Sequence, residues 1–367
     1  MLTRPLLHTS YRSDMSLLDS WTKRALLLGL LALGVATPLL LPDPDLRLLS
    51  TACVFAIGAI GLGLLTGSAG QVSLGHAFFL GVGCYTAAVV SGDPDDARLW
   101  GFGISEILIW LPAAGLVAAA VGVLIAPLAT RLRGLYLAIV TLGLVFVGEH
   151  FFEQWRSVTG GARAGRAAAE PVLFGYPVGQ DGAFFTEQQQ IFWLMFGLLV
   201  VFALAARNLS RSSVGRAFNA IRDRDIAAGT IGVNLFKYKT IAFGVSSFYA
   251  GCAGALLYAI TGHVNPTEFN LVLSVLFIAM VLVGGAGTVS GAIAGAFFIT
   301  LLGRMTEGLG GWVPVISTQS NQTPNIFQLQ NLLYGALIIG FLLYEPRGLF
   351  GIWLRIRNWW KSYPFSY

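Results

Sequence analysis

Residues capable of acid–base, nucleophilic or metal chemistry are sparse in this chain and do not converge. Its histidines are His8, His76, His150 and His263, and its cysteines are Cys53, Cys84 and Cys252. None shares a metal-ligand spacing with another, and the cysteines are scattered through apolar stretches, where small buried side chains belong. A Walker A loop needs Gly-Lys-Ser/Thr, because its lysine reaches the nucleotide phosphates. None of Lys23, Lys237, Lys239 and Lys361 follows a glycine. Within the long apolar segments the ionisable groups are few: His76, and Glu149 with His150 near one outer end. Ion-coupled carriers commonly need embedded acids or bases for the coupling ion. What remains is the chemistry of a path lined by backbone carbonyls and small residues.

Two short stretches suit such a path. Gly67–Ser73 reads GSAGQVS and Gly284–Ser290 reads GGAGTVS, with AFF following at Ala77–Phe79 and Ala296–Phe298. Neither carries a charge. Irregular backbone near membrane depth is tolerated only where protein or a water-filled cavity satisfies it. Paired glycine interruptions in two halves of a chain point to a transport site. Gly70, Gln71, Ser73, His76, Gly287 and Ser290 are therefore candidates for the translocation path. The competing account is two tight glycine turns with a fortuitous likeness.

The elements that must position these residues are membrane spans. The chain is 55% hydrophobic and 11% charged, against about 25% charged in soluble domains, and its mean hydropathy is +0.71. About twenty apolar residues cross a bilayer. Ten candidate spans follow: Ala25–Leu41, Leu48–Leu65, Ser73–Val90, Ile107–Leu128, Gly134–Phe152, Ile191–Ala206, Thr240–Thr261, Leu271–Val283, Val289–Leu302 and Asn331–Tyr344. The fold class expected is all-α, a polytopic membrane protein with about ten helices and both termini in the cytoplasm. Charge supports the count. Segments 1–24, 131–133, 207–239 and 345–367 hold seventeen of the 23 Lys and Arg but only five of the 18 acids. Lys and Arg are retained on the inner side during insertion. The 45 glycines suit close helix packing in lipid. Net charge is +5, but the basic residues sit at span ends rather than in a soluble basic domain, so nucleic acid is not an expected partner. Residues 1–24 precede an apolar run without an A-x-A cleavage pattern, so the run is expected to remain as the first span.

The organisation is thus a cytoplasmic segment 1–24, a membrane domain 25–344 and a cytoplasmic tail 345–367. Within the membrane domain, loop 207–239 is basic. Val214, Ala217, Phe218 and Ile221 fall at i, i+3, i+4 and i+7, one apolar stripe of a short helix that Ser213 can cap. That stripe requires burial against the chain's own spans, the lipid surface or a cytoplasmic partner. The external loop 153–190 is longer than a turn needs, so it is functional or disordered. In the tail, Phe350, Trp353, Leu354, Ile356, Trp359 and Trp360 alternate with Arg355, Arg357 and Lys361, which suits an amphipathic helix on membrane lipid.

The segment GRAFNAIRDRDIAAGTIGVNLFKYK at 215–239 resembles the cytoplasmic loop of branched-chain amino acid ABC importer permeases, LivM type. GQVSLGHAFF at 70–79, RLRGLYLAIVTLG at 131–143, TGG at 159–161 and EPRGLFG at 345–351 are similar to the same family in the same order. Urea permeases are near relatives. After TGG this chain departs from the pattern with ARAGRAAAEP, including Arg163 and Arg166. The resemblance implies a subunit of the bacterial inner membrane with no cofactor of its own. Its partners would be a second permease, two cytoplasmic ATPase subunits that use ATP, and a periplasmic substrate-binding protein. It maps the ATPase-coupling contact onto Gly215, Arg216, Ala220, Arg222, Asp223, Ala227, Ala228 and Gly232. Import of urea or short amides is the alternative within this class, and a stand-alone secondary carrier the alternative outside it. An enzyme is disfavoured by the dispersed chemistry.

Overall fold

The computed structural model describes residues 21–95, 98–132, 134–168, 170–180, 185–309, 326–345 and 347–362. The first twenty residues, most of segment 1–24, lie outside this set. All ten apolar segments contain a helix. These are α1 (Trp21–Leu40), α2 (Asp43–Gly63), α3 (His76–Ser91), α4 (Ile107–Arg131) and α5 (Leu135–Gln154), then α8 (Glu187–Arg211), α11 (Leu235–Thr261), α12 (Leu271–Gly284), α13 (Val289–Leu309) and α14 (Ile326–Tyr344). Short helices α6 (Arg156–Thr159) and α7 (Gly161–Ala164) lie in loop 153–190. The basic loop holds α9 (Ser213–Asp223) and α10 (Asp225–Thr230), and the tail forms α15 (Gly348–Ser362).

Length separates these helices. Among the described residues, six are long and apolar enough to cross a bilayer alone: α2 with its extension to Ser68, α4, α5, α8, α11 and α13. A seventh arises if α14 and α15 are joined across a 44° bend. Apolar but shorter are the stretch Leu27–Leu40 of α1, α3 and α12. At 1.5 Å per residue, a 16-residue helix such as α3 spans about 24 Å, short of a hydrocarbon core about 30 Å thick. Both α3 and α12 are cut short by the glycine breaks.

Polar side chains set several helix starts. The Thr186 hydroxyl accepts from the Gln189 amide while the Gln189 side chain accepts from the Thr186 N–H, a reciprocal box at α8. Asn234 and Asn270 accept from Lys237 and Leu273 at the starts of α11 and α12. At α9 the cap is Ser212, whose hydroxyl accepts from Val214 and Gly215. The expected Ser213 is instead the first helical residue.

The centre of the bundle is α2 and α11, each with 78% of its apolar window enclosed, against 33–39% for α4, α5, α8 and α13. Backbones meet closely there. A methyl group built on Gly83 of α3 would stand 2.1 Å from the Gly251 carbonyl oxygen of α11, and one on Gly254 would stand 1.9 Å from that of Leu80. Apolar side chains gain little from one another in a solvent as apolar as themselves, so close backbone approach supplies the packing. A large core runs through Leu46, Ile57, Ile60, Leu80, Leu256 and Phe277. A second, smaller core gathers Leu65, Ala69, Ala126, Leu137, Phe218, Ala242 and Phe243 beneath α9.

Among the described residues the fold departs from all-α in two short sheets. From loop 153–190, β1 (Arg166–Ala167) pairs antiparallel with β4 (His263–Val264) beyond α11, and β2 (Val172–Leu173) pairs with β3 (Tyr176–Pro177). The described part of loop 153–190 is thus ordered against the bundle. Arg166, 3% exposed, donates to the Val158 and Trp100 carbonyls at 2.8 and 2.7 Å. Thr159 of TGG donates to Phe152 O at 2.7 Å and accepts from Gly161 N.

Candidate functional site

The two glycine breaks, separate in sequence, touch in space. The end of α2 is a π-helical turn, Leu64–Ser68, after which the chain runs without helix to His76. A methyl group on Gly67 would lie 1.9 Å from the Gly287 nitrogen, so the two breaks are in backbone contact. Gly70 and Gly287, fourth in each heptapeptide, have φ of +68° and +84°. Any residue with a Cβ is strained in that region, which explains glycine at both places. The likeness of GSAGQVS and GGAGTVS therefore reflects a shared backbone conformation.

The basic loop closes over this contact. Arg222, in the last turn of α9, donates from Nη1 to the Gly67 carbonyl at 3.0 Å. Its Nε and Nη2 donate to Asp223 Oδ1 at 3.0 and 2.9 Å. Gly70 packs on the same residue, and a methyl group there would lie 3.1 Å from Arg222 Cα. The tail approaches from another side. Methyl groups on Gly285 and Gly348 would strike Arg347 O and Gly285 N, at 2.7 and 2.6 Å. Arg355 holds Glu345 at 2.6 Å. Motifs from four parts of the chain thus meet in one cluster, which their spacing did not disclose.

The apolar stripe of α9 is not free. Ala217, Phe218 and Ile221 are buried, and Phe218 sits in the second core with Val214 packed against it. Of the three surfaces left open for it, the stripe uses the chain's own spans. What α9 and α10 present outward is a different face. Arg216, Arg222, Asp223, Ala227 and Gly232 are exposed, as are Ile226 at 70% and Ile231 at 76%. Ala220 is half-buried and Ala228 is buried. Gly215 is buried at the corner with α8, where a methyl group would meet Ser210 O at 2.2 Å. Arg216 donates to Arg211 O at 3.1 Å. Asp225 pairs with the buried Lys239 at 3.9 Å, tying α10 to α11. Ile226 and Ile231 were missed in sequence because they lie off the stripe; large apolar residues in a charged, non-membrane loop are the signal that would have found them.

The remaining path candidates divide. Ser290 is exposed in the first turn of α13. Gln71, Ser73 and His76 are 4%, 2% and 2% exposed. The Ser73 hydroxyl accepts from Gly75 N, while the His76 ring lies 4.8 Å from that of Phe277. Among the described residues no protein group bonds Gln71 Oε1, Gln71 Nε2 or His76 Nε2. Buried polar atoms without partners are uncommon and cost about 1–3 kcal/mol each. The described residues contain no cluster of three or more metal-ligating side chains.

Comparison with known proteins agrees with this architecture. The family described as "Branched-chain amino acid transport system / permease component" matches residues 46–342. The high-affinity branched-chain amino acid transport system permease protein LivM of Escherichia coli K12 is 30% identical over 343 residues, covering 89% of this chain and 75% of that protein. The autoinducer 2 import system permease protein LsrC of Enterobacter sp. strain 638 is 28% identical over 282 residues, covering 75% and 66%. The ribose import permease protein RbsC of Haemophilus influenzae is 30% identical over 115 residues, 30% of this chain and 35% of that one. No solved structure matches. With the match spanning nearly all of the helical bundle, this chain belongs to the branched-chain amino acid ABC transport permease family.

Proposed function

We propose that this permease imports branched-chain or related amino acids across a bacterial inner membrane, driven by two partner ATPase subunits. A second permease completes the pathway and a periplasmic binding protein delivers the substrate. The observation that carries the reading is the packing of the basic α9–α10 loop directly on both glycine breaks. A partner that moved this loop would act on the ends of α2 and α12 without any intermediary. The outward face of Asp223, Ile226, Ala227, Ile231 and Gly232 is the ATPase contact, since large apolar residues there gain from being covered by protein. Gly70, Gln71, Ser73, His76, Gly287 and Ser290 stand at or beside the path, and the unpaired atoms of Gln71 and His76 support a hydrated or ligand-bearing interior there. Ten spans, with both termini inside, remain the reading the charge distribution favours.

Reconstitution in vesicles with the companion subunits tests this. Uptake of labelled leucine, isoleucine or valine should require ATP and be insensitive to collapse of ion gradients. Uptake driven by a gradient with no ATPase present would identify a secondary carrier. Competition by urea or short amides, and none by branched-chain amino acids, would move the substrate to the alternative class.

A further inference from the structure

We infer that Arg222 is a positioning residue inside the permease and not one of its contacts to the ATPase. The inference rests on the permease reading and deepens it. Arg222 and Asp223 are adjacent, charged and at the end of the same helix, so sequence assigns them the same outward role. The structure separates them. The Asp223 side chain is 68% exposed and that of Arg222 43%, so what distinguishes them is where the guanidinium reaches. Arg222 sends Nη1 inward to the Gly67 carbonyl, while Gly70 packs on its backbone.

The Gly67 carbonyl is a special acceptor. It lies in the last turn of the helix continuing from α2, where the final carbonyls have no partner within the helix and carry the negative end of its dipole. A guanidinium there satisfies the orphan carbonyl and the dipole together. The same Gly67 is in backbone contact with Gly287, and a methyl group on Gly287 would stand 3.6 Å from Arg222 Nη1. One side chain of α9 thus reaches the end of α2 and the break between α12 and α13. Phe218, one turn earlier, anchors α9 in the second core beside Leu65 and Ala69, which flank the same break. Displacement of α9 is therefore passed to both breaks through Arg222, with Asp223 holding the guanidinium in plane. Lysine would not substitute fully, because a single ammonium cannot address a carbonyl and a carboxylate with the planar fork of arginine.

Two measurements test this. The first needs no partner: hydrogen exchange of the purified chain in lipid discs. The Ala69 and Gln71 amides donate to Leu64 O and Leu65 O. Arg222→Gln should raise their exchange about tenfold or more, the loss expected for one charged hydrogen bond, and Arg222→Lys should raise it less. Unchanged exchange in both variants overturns the inference. The second uses the assembled transporter. In Arg222→Gln the ATPases should still co-purify and hydrolyse ATP, while substrate moved per ATP falls about tenfold. Loss of ATPase binding, with hydrogen exchange unaltered, would make Arg222 a partner contact and overturn the inference alone. If Arg222→Gln does not fold, Arg222→Lys carries both measurements. Wild-type chain that shows no ATP-driven uptake with its companions overturns this inference and the permease reading together.

Discussion

Gly70 and Gly287 illustrate how much one residue type can encode. In each heptapeptide the fourth position turns the chain through a left-handed conformation, and close neighbours leave little room for a side chain. Around Gly70 these are the backbone and stem of Arg222; around Gly287 they are the backbone of Gly67. Valine at either place meets both obstacles, and its branching adds stiffness. Gly70→Val and Gly287→Val should each reduce transport well beyond any fall in membrane-inserted protein. Uptake assays normalised to immunoblot level check this; near-wild-type uptake in both would return these segments to simple turns. Gly67→Ala should be at least as harmful, because its methyl group would have to displace Gly287 backbone rather than a flexible side chain.

At the scale of the element, α9 has two faces with different duties. Its inner face buries Ala217, Phe218 and Ile221. Phe218→Ala should cost about 3–5 kcal/mol of stability, the usual range for removing a buried aromatic ring. The readout is a lower thermal midpoint of the permease alone. Its outer face should behave oppositely. On the outer face that α9 shares with α10, Ile226→Arg and Ala227→Trp, at exposed positions, should leave that midpoint nearly unchanged but weaken co-purification of the ATPases or uncouple hydrolysis from uptake. The affinity of the separate binding protein for its ligand should not change. Wild-type assembly and coupling in both variants would make the outer face an ordinary solvated surface. The tail helix α15 is a comparable case: Gly348 fixes its start against Gly285, while Trp353, Ile356 and Trp359 stay at least half exposed, a face suited to membrane lipid.

The whole molecule is a helical bundle with six or seven candidate membrane spans among the described residues, and the charge distribution predicts its orientation. Exposed Ser213 lies in the basic loop and exposed Tyr176 in loop 153–190, which is expected outside. In a background lacking Cys53, Cys84 and Cys252, membrane-impermeant thiol reagents applied outside should modify Tyr176→Cys and spare Ser213→Cys. Tyr176 is the better probe than its neighbour Gly175, whose φ of +77° disfavours any side chain. Modification of both from outside would sink the topology.

Sequence alone determined the class of molecule, because the bilayer imposes its length and polarity on each segment separately. All ten helical segments and the likeness of the two glycine heptapeptides were legible for that reason, and so was the family resemblance. Local capping was legible to within one residue, Ser212 for Ser213. The number of helices able to cross alone was not, since the π turn after α2 and the breaks beside α3 and α12 trim spans that composition alone extends. Three features were decided only by tertiary structure: the burial of Phe218 with Leu65 and Phe243, the reach of Arg222 to the Gly67 carbonyl, and the meeting of Gly67 with Gly287. Each depends on residues far apart in the chain. A helical period states that a face must be buried; only the packed bundle decides what buries it.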